Sequence, residues 1–131
     1  MTKVFFALLS LAALLFMSGC DAYSSKYNAF LLVHSNTPES AFMQFDTFKG
    51  TMVFRLKSKY DNEKLKYSAK LGAGSANVDY DYDGQKTGLF SVKEGDDLRE
   101  TDVYVGKGRV YVIVETDGEC KEGDFNFEIY Y

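Results

Sequence analysis

The sequence predicts an all-β fold: a single antiparallel β-sandwich of about eight strands that follows a helical, apolar leader. From Gly50 onward, apolar and polar residues alternate with period two in short segments separated by Gly, Asp and Asn. No segment after the leader shows the apolar period of an amphipathic helix. Because each strand then has one apolar face, two packed sheets would bury these faces in an Ig-like or jelly-roll-like arrangement. A small closed barrel is the alternative.

The strand order follows from this alternation and from the turn residues. Turns are expected at 61–63, 72–75, 83–84, 94–97, 106–108 and 117–123, with Asp83-Gly84 as a tight hairpin. The run 109–115 is the most continuously apolar, which indicates a central strand. Segments 50–59, 65–71 and 78–83 are predicted to form a meander. The expected strands are 29–34, 50–59, 65–71, 78–83, 89–92, 98–105, 109–115 and 125–131, with 42–48 also extended.

The leader combines Lys3, the uncharged run 4–16 and Met17-Ser18-Gly19-Cys20. The run has the length of a signal-peptide core and is short for a membrane span. Its ending resembles the lipobox of bacterial lipoprotein signal peptides, where small residues precede the cysteine that receives a diacylglyceryl group. An uncleaved anchor helix and a cleaved leader without lipid are the alternatives.

This resemblance implies lipidation of Cys20 and attachment to the extracytoplasmic side of a cell membrane, facing the periplasm or the cell surface. Asp21 resembles the signal that retains lipoproteins in the inner membrane of enteric bacteria. The expected organisation is a signal peptide at 1–19, a lipidated tether at 20–28 and the β-sandwich at 29–131. We expect no cofactor apart from the covalent lipid.

The length and charge of the chain limit the kinds of partner that we expect. Cleavage would leave 112 of the 131 residues, enough for one domain with its own core. Because Lys3 is the only charge in the leader, the net charge of −4 would become −5. This acidic balance argues against nucleic acid, and against an anionic lipid surface as the main partner.

The predicted meander would neutralise its own charges. It places a lysine strand between a basic strand and an acidic strand, and opposite charges across a strand pair contribute about 0.2–1 kcal/mol. The alternative is a basic patch that contacts lipid headgroups or an anionic polymer. The residues concerned are Lys64, Lys66 and Lys70, between Arg55, Lys57 and Lys59 on one side and Asp79, Asp81 and Asp83 on the other.

Asp79, Asp81, Asp83 and Gly84 also resemble the start of an EF-hand calcium loop. The match fails at Phe90, where a bidentate Glu is required. An exposed acidic face is therefore the preferred interpretation, and a weak surface Ca²⁺ site is the alternative.

Catalysis has little support in the sequence. His34 is the only histidine, and no nucleophile elbow, phosphate loop or zinc-ligand spacing is present. With Cys20 lipidated, Cys120 has no disulfide partner, and we expect an incidental free thiol among acidic neighbours.

Tyrosines offer the remaining candidate chemistry. By alternation, Tyr104, Tyr111 and Tyr130 face outward and are candidates for stacking on a glycan, although β propensity also explains them. The leading hypothesis is a lipid-anchored, non-catalytic binding or structural module of the bacterial cell envelope that contacts an envelope protein or a glycan. A small envelope enzyme is the alternative.

Overall fold

The computed structural model describes residues 23–131, so the predicted signal peptide at 1–19 and Cys20 lie outside the described residues. Every element in this range is a strand. Within these residues there is no helix with the length and apolar character that a membrane crossing needs. The strands are β1 (Lys26–Phe30), β2 (Val33–Asn36), β3 (Ser40–Ser58), β4 (Glu63–Tyr82), β5 (Gln85–Lys93), β6 (Asp97–Val105) and β7 (Gly108–Tyr130).

All seven strands belong to one antiparallel sheet. Its main order is β1-β3-β7-β4-β5, while β2 pairs with β3 and β6 pairs with β4. Three strands have 19 to 23 residues, far beyond the usual five or six. Each of the three runs through both halves of the sheet. Layer 1 contains 40–48, 63–73 and 121–130 with β2 and β6; layer 2 contains 51–58, 75–82 and 108–117 with β5.

Contacts between distant residues show that the sheet is folded onto itself. Phe127 pairs with Ala41, which lies thirteen residues before Phe54 on β3. In a flat strand those thirteen residues would span roughly 43 Å. The ring centroids of Phe54 and Phe127 are 5.9 Å apart. The two layers therefore face each other as a β-sandwich made from one bent sheet.

Glycines mark the line along which the sheet bends. The register shifts between Phe48 and Thr51 on β3 and between Ala73 and Ser75 on β4. Gly50 and Gly74 sit at these shifts with φ of 130° and 92°. A Cβ on Gly50 would lie 2.3 Å from the Lys26 carbonyl oxygen, and a Cβ on Gly74 2.8 Å from Cys120 Sγ. Only glycine meets both the dihedral and the space requirement at these positions.

The bend corrects several predictions. There are seven strands and not about eight, because 72–75 and 117–123 are bends inside β4 and β7 instead of turns. The predicted meander is wrong, since β7 lies between β3 and β4. The central position of 109–115 is confirmed. The Asp83-Gly84 hairpin is confirmed too, with φ of 60° and 76° at its two residues.

The central lysines of the predicted meander and two of its aspartates, Asp79 and Asp81, lie on one strand, β4, but in different layers, and Asp83 follows in the hairpin turn. The acidic strand therefore does not neutralise the lysines. Lys66 instead pairs with Glu100 and Glu128, which β6 and β7 supply. Asp79 pairs with Lys86 across the β4–β5 hairpin.

The free edge of β3 in layer 2 is closed without a strand. The amide N–H of Val53 donates to Ser25 Oγ at 2.8 Å, that of Arg55 to Asn36 Oδ1 at 2.7 Å, and that of Lys57 to the Pro38 carbonyl at 2.8 Å. These bonds satisfy amides that would otherwise invite pairing with another chain. The fold also begins before the expected domain boundary at residue 29, because β1 starts at Lys26.

The core lies between the layers. Phe125 is fully buried and Phe127 nearly so, as expected for the last strand. Phe90 of β5 contacts both rings and stacks on Tyr67 at 5.0 Å, so aromatic contacts join the two layers. Val53 and Ile113 are buried on the outer face of layer 2, outside this core cluster.

Candidate binding groove and the opposite face

A groove of about 390 Å³ crosses the outer face of layer 1. That volume is in the range of small-ligand sites. Alternation turns its side chains outward, because the intervening residues on the same strands fill the core. The outward side chains that line the groove are Ser40, Phe42, Lys66, Ser68, Glu100, Asn126 and Glu128.

Charge in the groove is concentrated in one group of three side chains. Lys66 Nζ lies 2.8 Å from Glu100 and 3.5 Å from Glu128. The hydrogen bond to Glu100 is the main reason that the pKa of Lys66 is raised. One cation between two carboxylates leaves a net negative group, which disfavours a strongly anionic ligand.

Two of the predicted stacking tyrosines lie beside this groove. Lys64 is the cross-strand neighbour of both Tyr104 and Tyr130, which places the two tyrosines on the outer face of layer 1. The Tyr130 hydroxyl donates to Asp102, and this bond raises the pKa of Tyr130. Tyr104 is 70% exposed. The ring of Tyr130 lies 5.2 Å from Lys66 Nζ, next to the groove.

The third tyrosine, Tyr111, lies on the outer face of layer 2, so the structure does not bring the three together. Its ring centroid is 5.3 Å from that of Tyr23. Tyr23 donates its hydroxyl to Asp81 and accepts a 3.1 Å hydrogen bond from Arg55 Nη2 at its carbonyl. The hydrogen bond to Asp81 raises the pKa of Tyr23 to about 12. Residues 23–25 therefore lie on the domain as a strap and not as a free tether.

Two of the three aspartates of the calcium hypothesis contact other side chains. Asp79 Oδ2 lies 3.6 Å from Lys86 Nζ, and Asp81 accepts from Tyr23. Asp83 sits in the hairpin turn with φ of 60°. Among residues 23–131, no three acidic, histidine or cysteine side chains form a group that could hold a metal.

His34 and Cys120 show no catalytic arrangement. His34 is exposed on β2, and no carboxylate in the described part of the chain lies within 4.0 Å of it. Cys120 is a free cysteine, fully buried at the bend, and donates to the Ser75 carbonyl at 3.2 Å. Burial raises the pKa of its thiol. The expected turn around Cys120 is thus a packed bend.

Sequence reasoning missed the residues that define the groove. Lys66, Ser68 and Asn126 could be assigned to a polar face by alternation. Their assembly into one site could not be predicted, because β4 and β7 become neighbours only after β7 inserts beside β3. Tyr23 had no sequence signal at all, since its partner Asp81 lies 58 residues away.

No protein-family model matches the chain, and no curated protein matches it. Among solved structures it is similar to TmCBM61 in complex with β-1,4-galactotriose, with 12% identity over 81% of this chain and 87% of that chain and a TM-score of 0.48. A family 29 carbohydrate-binding module complexed with mannohexaose has 11% identity over 83% and 79% of the two chains and a TM-score of 0.40. The Drosophila melanogaster CENP-C cupin domain has 16% identity over 93% and 98% and a TM-score of 0.33. At these scores the likenesses assign neither a family nor a function.

Proposed function

We propose that this chain is a non-catalytic binding module, tethered to the extracytoplasmic side of a bacterial membrane by lipid on Cys20, and that the layer 1 groove binds a neutral glycan. The observation that carries the proposal is the groove itself. It combines the Phe42 ring with short hydrogen-bonding side chains, Ser68 and Asn126, on a rigid sheet.

The chemistry of these side chains suits sugars. A ring such as Phe42 or Tyr130 can pack on the apolar face of a pyranose. Hydroxyl and amide groups both donate and accept, as sugar hydroxyls do. The net negative group around Lys66 favours a neutral glycan over an anionic polymer.

The position of the strap supports the same proposal. At most about 11 Å of extended chain separates Cys20 from Tyr23. Tyr23 contacts the outer face of layer 2, whereas the groove is on the outer face of layer 1. An anchor at Cys20 would thus hold layer 2 towards the membrane and direct the groove away from it, into the envelope.

Two asparagines provide a matched test. Asn126 lines the groove, while Asn77 lies on the outer face of layer 2. The full-length acylated protein is screened against an array of defined neutral oligosaccharides. For a ligand it retains, we expect Asn126→Ala to weaken binding about tenfold, as loss of a hydrogen bond of about 1.4 kcal/mol would. Asn77→Ala should leave binding unchanged.

Two results would overturn the glycan assignment: retention of no oligosaccharide, or equal losses in the two variants. The tether is tested separately by the intact mass of the membrane-purified protein. An unacylated mature end, or an intact leader, would refute it without bearing on the groove.

A further inference from the structure

We infer that the outer face of layer 2 is a docking surface for anionic phospholipid headgroups, which contact Arg55, Lys57 and Arg109. The inference rests on the membrane attachment proposed above. It adds a lipid preference and a fixed orientation, which attachment by acyl chains alone does not supply.

The three cations are neighbours by strand register. Lys57 lies directly opposite Arg109, and Arg55 is diagonal to Arg109. Like charges in a directly opposed pair oppose strand pairing. In residues 23–131, none of the three has a carboxylate oxygen within 4.0 Å. The fold thus gathers like charges without an internal counter-ion, and an external anion would relieve their repulsion.

A shallow groove of about 370 Å³ accompanies these cations, and no acidic residue lines it. Residues 36–38 form its wall. Asn36 holds the Arg55 backbone through two hydrogen bonds of 2.7 and 2.8 Å, and the Pro38 carbonyl accepts from Lys57. The cations therefore face a rigid recess, and guanidinium groups bind phosphate oxygens in a bidentate manner.

The acidic residues of the same face lie outside this recess. Asp79 pairs with Lys86, and Asp81 accepts from Tyr23. Asp81 and Asp83 line an adjacent groove together with Lys107 and Arg109. Although the chain has a net charge of −4, three cations meet in a recess that no acidic residue of the described range lines, so the acidic composition does not exclude a local anionic-lipid site.

The strap brings this face close to the anchor. The Tyr23 carbonyl accepts from Arg55, and Cys20 lies within about 11 Å of extended chain from Tyr23. A basic side chain near an anionic bilayer contributes about 1 kcal/mol, and the attraction extends about 8 Å at physiological salt. Arg55 contacts the strap directly, and Lys57 and Arg109 are its neighbours on the same face.

The test measures how the anchored protein is oriented. Full-length acylated protein is placed in nanodiscs of phosphatidylcholine, or of equal parts phosphatidylcholine and phosphatidylglycerol, that contain a headgroup-nitroxide lipid. A fluorophore is attached at Lys107→Cys on the layer 2 side or at Arg99→Cys on the layer 1 face. Buried Cys120 stays unlabelled, and an acylated Cys20 has no free thiol.

We expect the fluorophore at position 107 to be quenched much more than that at 99, and only in anionic discs. In anionic discs, the quenching at position 107 reports the ratio of docked to undocked protein. The double substitution Lys57→Gln with Arg109→Gln should lower this ratio by at least about tenfold, since two contacts of about 1 kcal/mol are lost. The control pair Lys64→Gln with Lys70→Gln, on layer 1, removes the same charge and should have no such effect.

Quenching that is equal at the two positions, independent of lipid charge, or reduced as much by the control pair would overturn the inference. Intact mass of the same samples reports acylation. Failure of the proposed tether is thereby distinguished from failure of the headgroup site.

Discussion

Single side chains at the N-terminal end of the fold decide how the chain leaves the domain. Tyr23 contacts Asp81, Arg55 and Tyr111, three residues that are distant in sequence but adjacent on the outer face of layer 2. The segment after Cys20 is polar, which predicts a tether. Its last residues instead belong to the folded structure, because their hydrogen-bond partners are already held in place by the sheet.

The Tyr23 contact should depend on pH. Its pKa is raised from 10.0 to about 12 in the folded chain, so the hydrogen bond stabilises the fold below pH 10 and is lost as pH rises towards 12. We expect the difference in urea midpoint between the parent protein and Tyr23→Phe to be constant near neutral pH and to shrink at about pH 11. A difference that does not change with pH would contradict a hydroxyl-mediated contact.

At the scale of the strand, hydrogen bonds along the edge and bends at glycines determine the form of the long strands as much as the alternation of apolar and polar residues does. In layer 2 the edge of β3 is closed by Ser25, Asn36 and Pro38 in place of a strand. At the bends, Gly50 and Gly74 let β3 and β4 enter the second layer. Single hydrogen bonds at the edge and single glycines at the bends thus replace a whole strand or turn.

Asn36→Ala tests the edge. The substitution removes both hydrogen bonds to the Arg55 backbone and should lower the free energy of unfolding by about 1–2 kcal/mol. Asn28→Ala, an exposed position on β1, should change it by less than about 0.5 kcal/mol. Urea denaturation measures both, and equal effects would show that the Asn36 bonds do not stabilise the edge.

Gly74→Ala tests the bend. The new Cβ would be 2.8 Å from both Cys120 Sγ and the Glu119 carbonyl oxygen, in addition to the positive φ. We expect a loss of at least about 3 kcal/mol, from backbone strain and overpacking together. Gly95→Ala has φ of 82° but open space, and should cost only about 1–2 kcal/mol. Thermal unfolding of the pair separates the two causes.

At the scale of the whole molecule, the folding of one sheet creates two outer faces with different chemistry. Layer 1 has the groove with its tyrosines, and layer 2 has the strap and three cations that have no carboxylate within 4.0 Å among residues 23–131. The packed aromatic residues of the core fix the position of one outer face relative to the other. A change in the core should therefore affect both faces together.

Phe127→Ala is the corresponding prediction. Its ring contacts Phe54 and Phe90 across the layers and is 2% exposed, so the substitution should cost about 3–5 kcal/mol. Phe30→Ala, where the ring is 59% exposed, should cost less than about 1 kcal/mol. An unchanged melting temperature in Phe127→Ala would show that the two layers do not share a core.

The amino-acid sequence by itself determined the all-β class, the faces of the strands, the Asp83-Gly84 hairpin and the central position of 109–115, because period-two alternation and turn chemistry are local properties. Only the tertiary structure decided that Gly74 bends a strand while Gly95 turns one, that Lys66 meets Glu100 and Glu128, and that Tyr111 lies apart from Tyr104 and Tyr130. These outcomes depend on which strands become neighbours. That choice is made by burial of the whole core, and no local pattern encodes it.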